Sequence, residues 1–148
     1  MRLSKKQNQC SKVDKLIDLE IVSPVSFVYQ GKVKSVSAPG TNGGFQVLYN
    51  HAPFVSSLTI GKVKIVDENG NEKLYSISSG ILEVSNNKAS IIAESIEVTD
   101  EIDIERAKKS LERAIERMKS DDKGIDKDRA RLSYERAKNR IKFSGKEK

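Results

Sequence analysis

Between Leu19 and Val98 apolar and polar residues alternate in short runs. Lys32-Val33-Lys34-Ser35-Val36 and Lys62-Val63-Lys64-Ile65-Val66 repeat with a period of two, so one face of each run is apolar and the other wet. That period predicts strands. Asp67-Glu68-Asn69-Gly70-Asn71 and Asn86-Asn87 separate apolar runs with residues that tolerate positive φ, and both read as hairpin turns. Strands recurring at intervals of about 8 to 12 residues, with no helical pattern between them, predict an antiparallel sandwich or barrel rather than a parallel α/β sheet.

Past Thr99-Asp100 the period lengthens. Ile104, Ala107, Leu111, Ala114 and Met118 are spaced 3, 4, 3 and 4, and after Ser120-Asp121-Asp122-Lys123-Gly124 a second seam follows at Ala130, Tyr134, Ala137 and Ile141. Asp100 is the expected N-terminal acceptor of the first helix, with Glu101 and Asp103 in its first turn. A short polar link between two seamed helices predicts an antiparallel hairpin. Its two arms are alike: residues 102–119 and 125–142 agree at ten of eighteen positions when superposed. The expected fold class is therefore α+β. A flexible basic arm over residues 1–18 precedes a β-sandwich over 19–98, and a helical hairpin with a polar tail occupies 99–148. Seams this narrow and alanine-rich bury little, so the hairpin is expected to lean on the sheet, a partner or a ligand.

Composition narrows the function. The chain of 148 residues is 36% hydrophobic and 32% charged, and its net charge of +6 is concentrated beyond residue 100, where 16 Lys and Arg face 11 Asp and Glu. It has no run of 18 apolar residues, and the basic start MRLSKKQNQCSK leads into no apolar stretch. The expectation is a cytoplasmic protein without direct membrane insertion. Cys10 stands without a second Cys or a His nearby, which argues against a disulfide or a metal site. His51 belongs to no nucleophile motif, and Gly40-Thr41-Asn42-Gly43-Gly44 lacks the Lys-Ser/Thr of a phosphate loop, so no catalytic residues are assigned.

The arginines carry the strongest local signal. Arg106, Arg113 and Arg117 are spaced 7 and 4, as are Arg129, Arg136 and Arg140, and each set lies on one helical face. Two readings stay open: a solvated face with weak ion pairs to Glu112, Glu116 and Glu135, or a guanidinium cluster that holds phosphate or carboxylate. Nucleic acid is the competing partner for a basic hairpin and ranks second. The helices offer one aromatic, Tyr134, plus Phe143 near their end, and their acidic residues dilute the field that a phosphate backbone requires.

Three fragments in order carry a family resemblance: Gly43-Gly44-Phe45-Gln46-Val47-Leu48-Tyr49 running into Asn50-His51-Ala52-Pro53, then Ser79-Gly80-Ile81-Leu82-Glu83-Val84, then Ile102-Asp103-Ile104-Glu105-Arg106-Ala107. From about Leu19 to Ile141 the chain resembles the epsilon subunit of rotary ATP synthases. The family usually has Glu, a second Gly and Pro where this chain has Gly44, Gln46 and Tyr49. The resemblance implies a non-catalytic stalk subunit on the cytoplasmic face of a membrane-associated complex. It implies binding of the gamma subunit through the sandwich, coupling to the membrane c-ring, and restraint of ATP hydrolysis when the hairpin extends toward a catalytic beta subunit. Asn50, His51, Ala52 and Pro53 would sit at the end facing these partners. No cofactor is required. ATP is the implied regulatory ligand, held by Glu97, Ile102, Asp103, Arg106, Ala107, Arg113, Arg136 and Arg140, and it would favour the folded-down hairpin. The second copy, Ile125-Asp126-Lys127-Asp128-Arg129-Ala130, is either a matching helix start with Asp126 as acceptor or a nucleotide motif in its own right. A basic hairpin that binds nucleic acid and a stand-alone protein-interaction module are the alternative readings.

Overall fold

The structure, a computed structural model, describes residues 15–144; up to residue 14 the expected basic arm lies outside the described residues. Nine strands come first: β1 (Ile17–Val22), β2 (Phe27–Gly40), β3 (Gly43–Leu48), β4 (Phe54–Leu58), β5 (Gly61–Asp67), β6 (Glu72–Ile77), β7 (Gly80–Ser85), β8 (Lys88–Ala93) and β9 (Ile96–Val98). A single 3-10 turn at Thr99–Glu101 leads to α1 (Ile104–Lys119) and α2 (Lys127–Phe143).

The alternation along the strands becomes two packed layers, because period-two residues on facing strands can share one apolar interior. One layer runs β1-β8-β7-β4 and the other β3-β2-β5-β6-β9. The 14-residue β2 joins them: its first half pairs with β1 and its second half with β3 and β5. All pairs are antiparallel except β1 with β8. The interior holds Ile17, Leu19, Ile21, Val33, Val36, Val47, Val63, Ile65, Leu82, Val84 and Ile91. Burying one such side chain stabilises by roughly 1.5–3 kcal/mol. The predicted turns take the predicted conformations. Asn86 and Asn87 have φ of 50° and 60°, Gly70 has φ of 88°, and the Asp67 carboxylate accepts the N–H groups of Asn69 and Asn71.

The helical part differs from expectation at its start. Asp100 lies in the 3-10 turn and is not the α1 cap; Asp103 is, accepting the Arg106 N–H at 3.0 Å. Ile102 explains the delay, since it is 4% exposed with φ −65° and ψ 122°, and the chain must stay extended there to bury it. Asp126 caps α2 in the same way, accepting the Arg129 N–H at 3.0 Å. The two copies of the repeat are thus two equivalent helix starts. Ala107, Ala114, Ala130 and Ala137 are all buried between the helices, as the seams predict, whereas Met118 at the far end is exposed. Small residues let the axes approach closely but bury little area, so this pair gains stability from what it rests on.

Candidate functional site

The hairpin rests on the sandwich through α2. Arg136, Asn139 and Arg140 occupy positions i, i+3 and i+4, which places them on one helical face. The Asn139 amide donates to the Gly61 carbonyl at 2.9 Å and to Ser76 Oγ at 2.8 Å, tying the helix to the start of β5 and the end of β6. Arg140 Nη2 donates to Glu97 Oε1 on β9, and Arg136 Nη2 donates to Glu94 Oε2 at 2.9 Å. Lys62 on β5 lies over the Phe143 ring, 5.4 Å from its centroid. Two charged pairs, one bidentate amide and one cation–π contact hold the helix to this edge.

Glu94 is itself held in place. It accepts a hydrogen bond from Ser79 Oγ at 2.5 Å, and this bond and the Arg136 charge together keep its carboxyl below the usual glutamate range. Ser79 and Glu94 stand in adjacent connections: Glu94 N–H donates to the Ser79 carbonyl, and Ser78 N–H to that of Ser95. Gly80 permits the approach, because a Cβ there would overlap the Ile92 carbonyl oxygen and lie 3.0 Å from Ala93 Cα.

Beside this contact a cavity of about 570 Å³ opens between the sandwich and the hairpin. Ser26 and Val28 from the β1–β2 hairpin form one wall, and Ile96, Glu97 and Val98 of β9 form the floor. Glu101, Ile102, Asp103, Arg106 and Ala107 supply the 3-10 turn and the first turn of α1, while Arg140 closes the site from α2. Three carboxylates and two guanidiniums line it, which gives a mixed polar surface with donors for an anion and acceptors for neutral polar groups. A second hollow of about 200 Å³ shares Glu97 and Arg140 with the first and adds Ser76, Ser78, Ser95, Arg136 and Asn139.

Of the eight residues expected at a nucleotide site, Glu97, Ile102, Asp103, Arg106, Ala107 and Arg140 line the main cavity. Arg136 reaches only the adjoining hollow. Arg113 joins neither; its Nε donates to the Lys109 carbonyl at 3.2 Å, and it borders a small hollow of about 160 Å³ with Ser110, Arg117 and Ser133. The six seam-flanking arginines accordingly do not converge into one cluster. Arg106 and Arg113 are seven residues apart, roughly 10 Å along the helix, and Arg129 is exposed at the α2 start. Sequence reasoning missed Glu94, Ser79 and Asn139. Asn139 was recoverable, since it shares the helical face of Arg136 and Arg140, but Glu94 and Ser79 are joined only by strand pairing.

Asn50, His51, Ala52 and Pro53 connect β3 to β4 at the other end of the molecule. Asn50 adopts φ of 58° and its N–H donates to Asn87 Oδ1 at 3.0 Å, so this loop abuts the β7–β8 turn. The α2 contact lies at the opposite ends of β7 and β8. His51 Nδ1 is 2.8 Å from the Ala52 carbonyl, and its ring is 4.8 Å from that of Phe54. Among the described residues no group of three or more His, Cys, Asp or Glu is placed to hold a metal, and no helix is long and apolar enough to cross a membrane.

Comparison with known proteins agrees with this arrangement. Residues 16–99 match the beta-sandwich domain of the ATP synthase delta/epsilon chain, and residues 100–145 match its long alpha-helix domain. The ATP synthase epsilon chain of Protochlamydia amoebophila is 46% identical over 110 residues, covering 74% of this chain and 75% of that protein. That of Natranaerobius thermophilus is 39% identical over 113 residues, covering 76% and 80%. A chain in the Euglena gracilis mitochondrial ATP synthase structure of OSCP, F1 and c-ring shares the fold with a TM-score of 0.75 at 22% identity, over 94% of this chain and 88% of that one.

Proposed function

This chain belongs to the ATP synthase delta/epsilon family, and from that premise we propose how its two parts divide the work of a non-catalytic central-stalk subunit in a rotary motor. The sandwich binds the gamma subunit and couples it to the c-ring, and the hairpin regulates ATP hydrolysis at the catalytic beta subunits. The Asn50–Pro53 loop, at the end remote from the hairpin, is the segment proposed to face these partners. It carries neither Lys nor Arg, and Leu48 and Tyr49 beside it are exposed, a surface suited to apolar contact. The subunit is peripheral to the membrane as part of the complex, and the cytoplasmic face is the proposed side.

The hairpin is proposed to sense ATP. One observation carries this: the cavity brings the Ile102-Asp103-Ile104-Glu105-Arg106-Ala107 helix start together with Glu97 from the sheet and Arg140 from the other helix. Its volume lies in the range typical of small-molecule sites. The helix start and β9 would hold the base and ribose, and Arg106 and Arg140 would meet the phosphates, with Arg136 in reach of the distal ones through the shared wall. Because the site is complete only with α2 in place, a ligand filling it binds the docked hairpin better than the open one and shifts the population toward docking. Among the described residues, Asp126 and Arg129 line neither the main cavity nor the adjoining hollow, which supports reading that copy as a helix start alone. Calorimetry with ATP tests the assignment: Arg106→Ala abolishes binding and Arg129→Ala leaves it intact, while loss in the second variant alone refutes the site. The nucleic-acid alternative is not favoured, since two of the basic side chains it would use are already engaged by Glu94 and Glu97.

A further inference from the structure

We propose that Glu94 is a built-in anion that latches the hairpin to the sandwich without any nucleotide, and that an incoming phosphate must displace it from Arg136. Three features converge on this residue. First, the Glu94 carboxylate is placed before the helix arrives, by the Ser79 hydroxyl and by the paired connections that the absence of a side chain at Gly80 allows to touch. A preorganised acceptor loses little freedom when the guanidinium docks. Second, Arg136 meets that acceptor with a single Nη2 contact, and its Nε is buried without a hydrogen-bond partner. A guanidinium with a donor to spare, bordering the hollow that adjoins the cavity, is only half used by Glu94 and has more to gain from a phosphate that takes two donors at once. Third, Glu97 does the same for Arg140 on the next strand, so the sheet edge offers two carboxylates at the spacing of one turn of α2.

The consequence is a docked state that needs no ligand and a ligand that must compete for it. In a chain with a neutral residue at position 94, Arg136 would wait for the nucleotide's charge, and docking without ligand would rest on Asn139 and the Arg140–Glu97 pair. Here the sandwich already supplies that charge, so the hairpin is set to stay down at low ATP. The displacement half rests on the ATP reading above; the latch half stands without it.

Amide hydrogen exchange of the full chain, read by mass spectrometry in the absence of nucleotide, tests the latch. Glu94→Gln keeps the size and the Ser79 contact but removes the charge. The expected result is that α2 exchanges about two- to fivefold faster, as befits a partly exposed ion pair, while β7 and β8 keep their protection. Ser79→Ala, which releases the carboxylate without removing it, is expected to move α2 in the same direction by less. Unchanged α2 exchange in Glu94→Gln overturns the latch. For displacement, calorimetry with ATP on the wild-type chain and on Glu94→Gln is expected to show severalfold tighter binding by the variant. Equal affinities overturn displacement and spare the ATP site, whereas the absence of binding by either chain overturns both and leaves the exchange result to decide the latch.

Discussion

Replacing Asn139 with Ala separates docking from folding. The Asn139 amide makes two hydrogen bonds to the sandwich, at 2.9 Å to the Gly61 carbonyl and 2.8 Å to Ser76 Oγ, and Ser76 is buried. Each bond contributes about 1 kcal/mol, and together about 1–2 kcal/mol once water reaches the vacated carbonyl. This corresponds to roughly a five- to thirtyfold fall in the ratio of docked to undocked hairpin. The alanine is a better helix former than the asparagine it replaces, so α2 itself does not suffer. Neither Gly61 nor Ser76 belongs to the apolar core of the sandwich. Exchange of α2 amides is therefore expected to accelerate five- to thirtyfold, with β7, β8 and the thermal midpoint of the sandwich unchanged. Two results would refute the reasoning. Unchanged α2 protection would mean that the amide does not hold the helix. An equal loss of protection in the sandwich would mean that the two parts open as one cooperative unit, which removes the basis for a movable hairpin.

Three further outcomes are expected. Gly80→Ala forces a Cβ into the Ile92 backbone and destabilises the β7–β8 pair by more than about 2 kcal/mol, read as a lower midpoint in chemical denaturation together with loss of the Ser79–Glu94 contact. Asp103→Ala and Asp126→Ala each remove one cap and weaken their own helix by about 0.5–2 kcal/mol; ATP affinity falls only in the first, and an equal fall in both would undo the distinction between the two copies. The pH dependence of docking follows from Glu94, whose carboxyl is held low by Ser79 in either state and additionally by Arg136 only when the helix is docked. A depressed folded value means that its contribution is present above the ordinary glutamate range and is lost as pH falls through the lowered value. A fall in α2 protection at low pH, measured against the intrinsic exchange rate at each pH, is expected, and a smaller fall in Glu94→Gln checks the source. Asp67, also held low but by Asn71 in the β5–β6 turn, titrates without effect on α2.

Short-range features of this chain are legible in its sequence, and long-range ones are not. The strand periods, the Asn86-Asn87 and Asp67–Asn71 turns and the alanine seams were readable because each depends on residues within a few positions of one another, through backbone dihedrals, side-chain alternation or helical spacing. The two-layer sandwich and the hairpin followed from those same periods. The start of α1 was not readable to the residue. Asp100 and Asp103 are both competent caps, and the choice between them goes with the burial of Ile102 in an extended conformation, which spacing along the chain does not encode. The same limit governs the site. The Ile102–Ala107 motif was visible, but its completion by Glu97 and Arg140, the exclusion of Arg113, and the capture of Arg136 by Glu94 depend on where α2 lies across β6 and β9. Sequence alone determined which elements form and which faces they bury, since those are set by short-range chemistry. Only the tertiary structure decided which charges meet, because Arg136 and Glu94 stand 42 positions apart and packing of the helix on the sheet is what brings them within 2.9 Å.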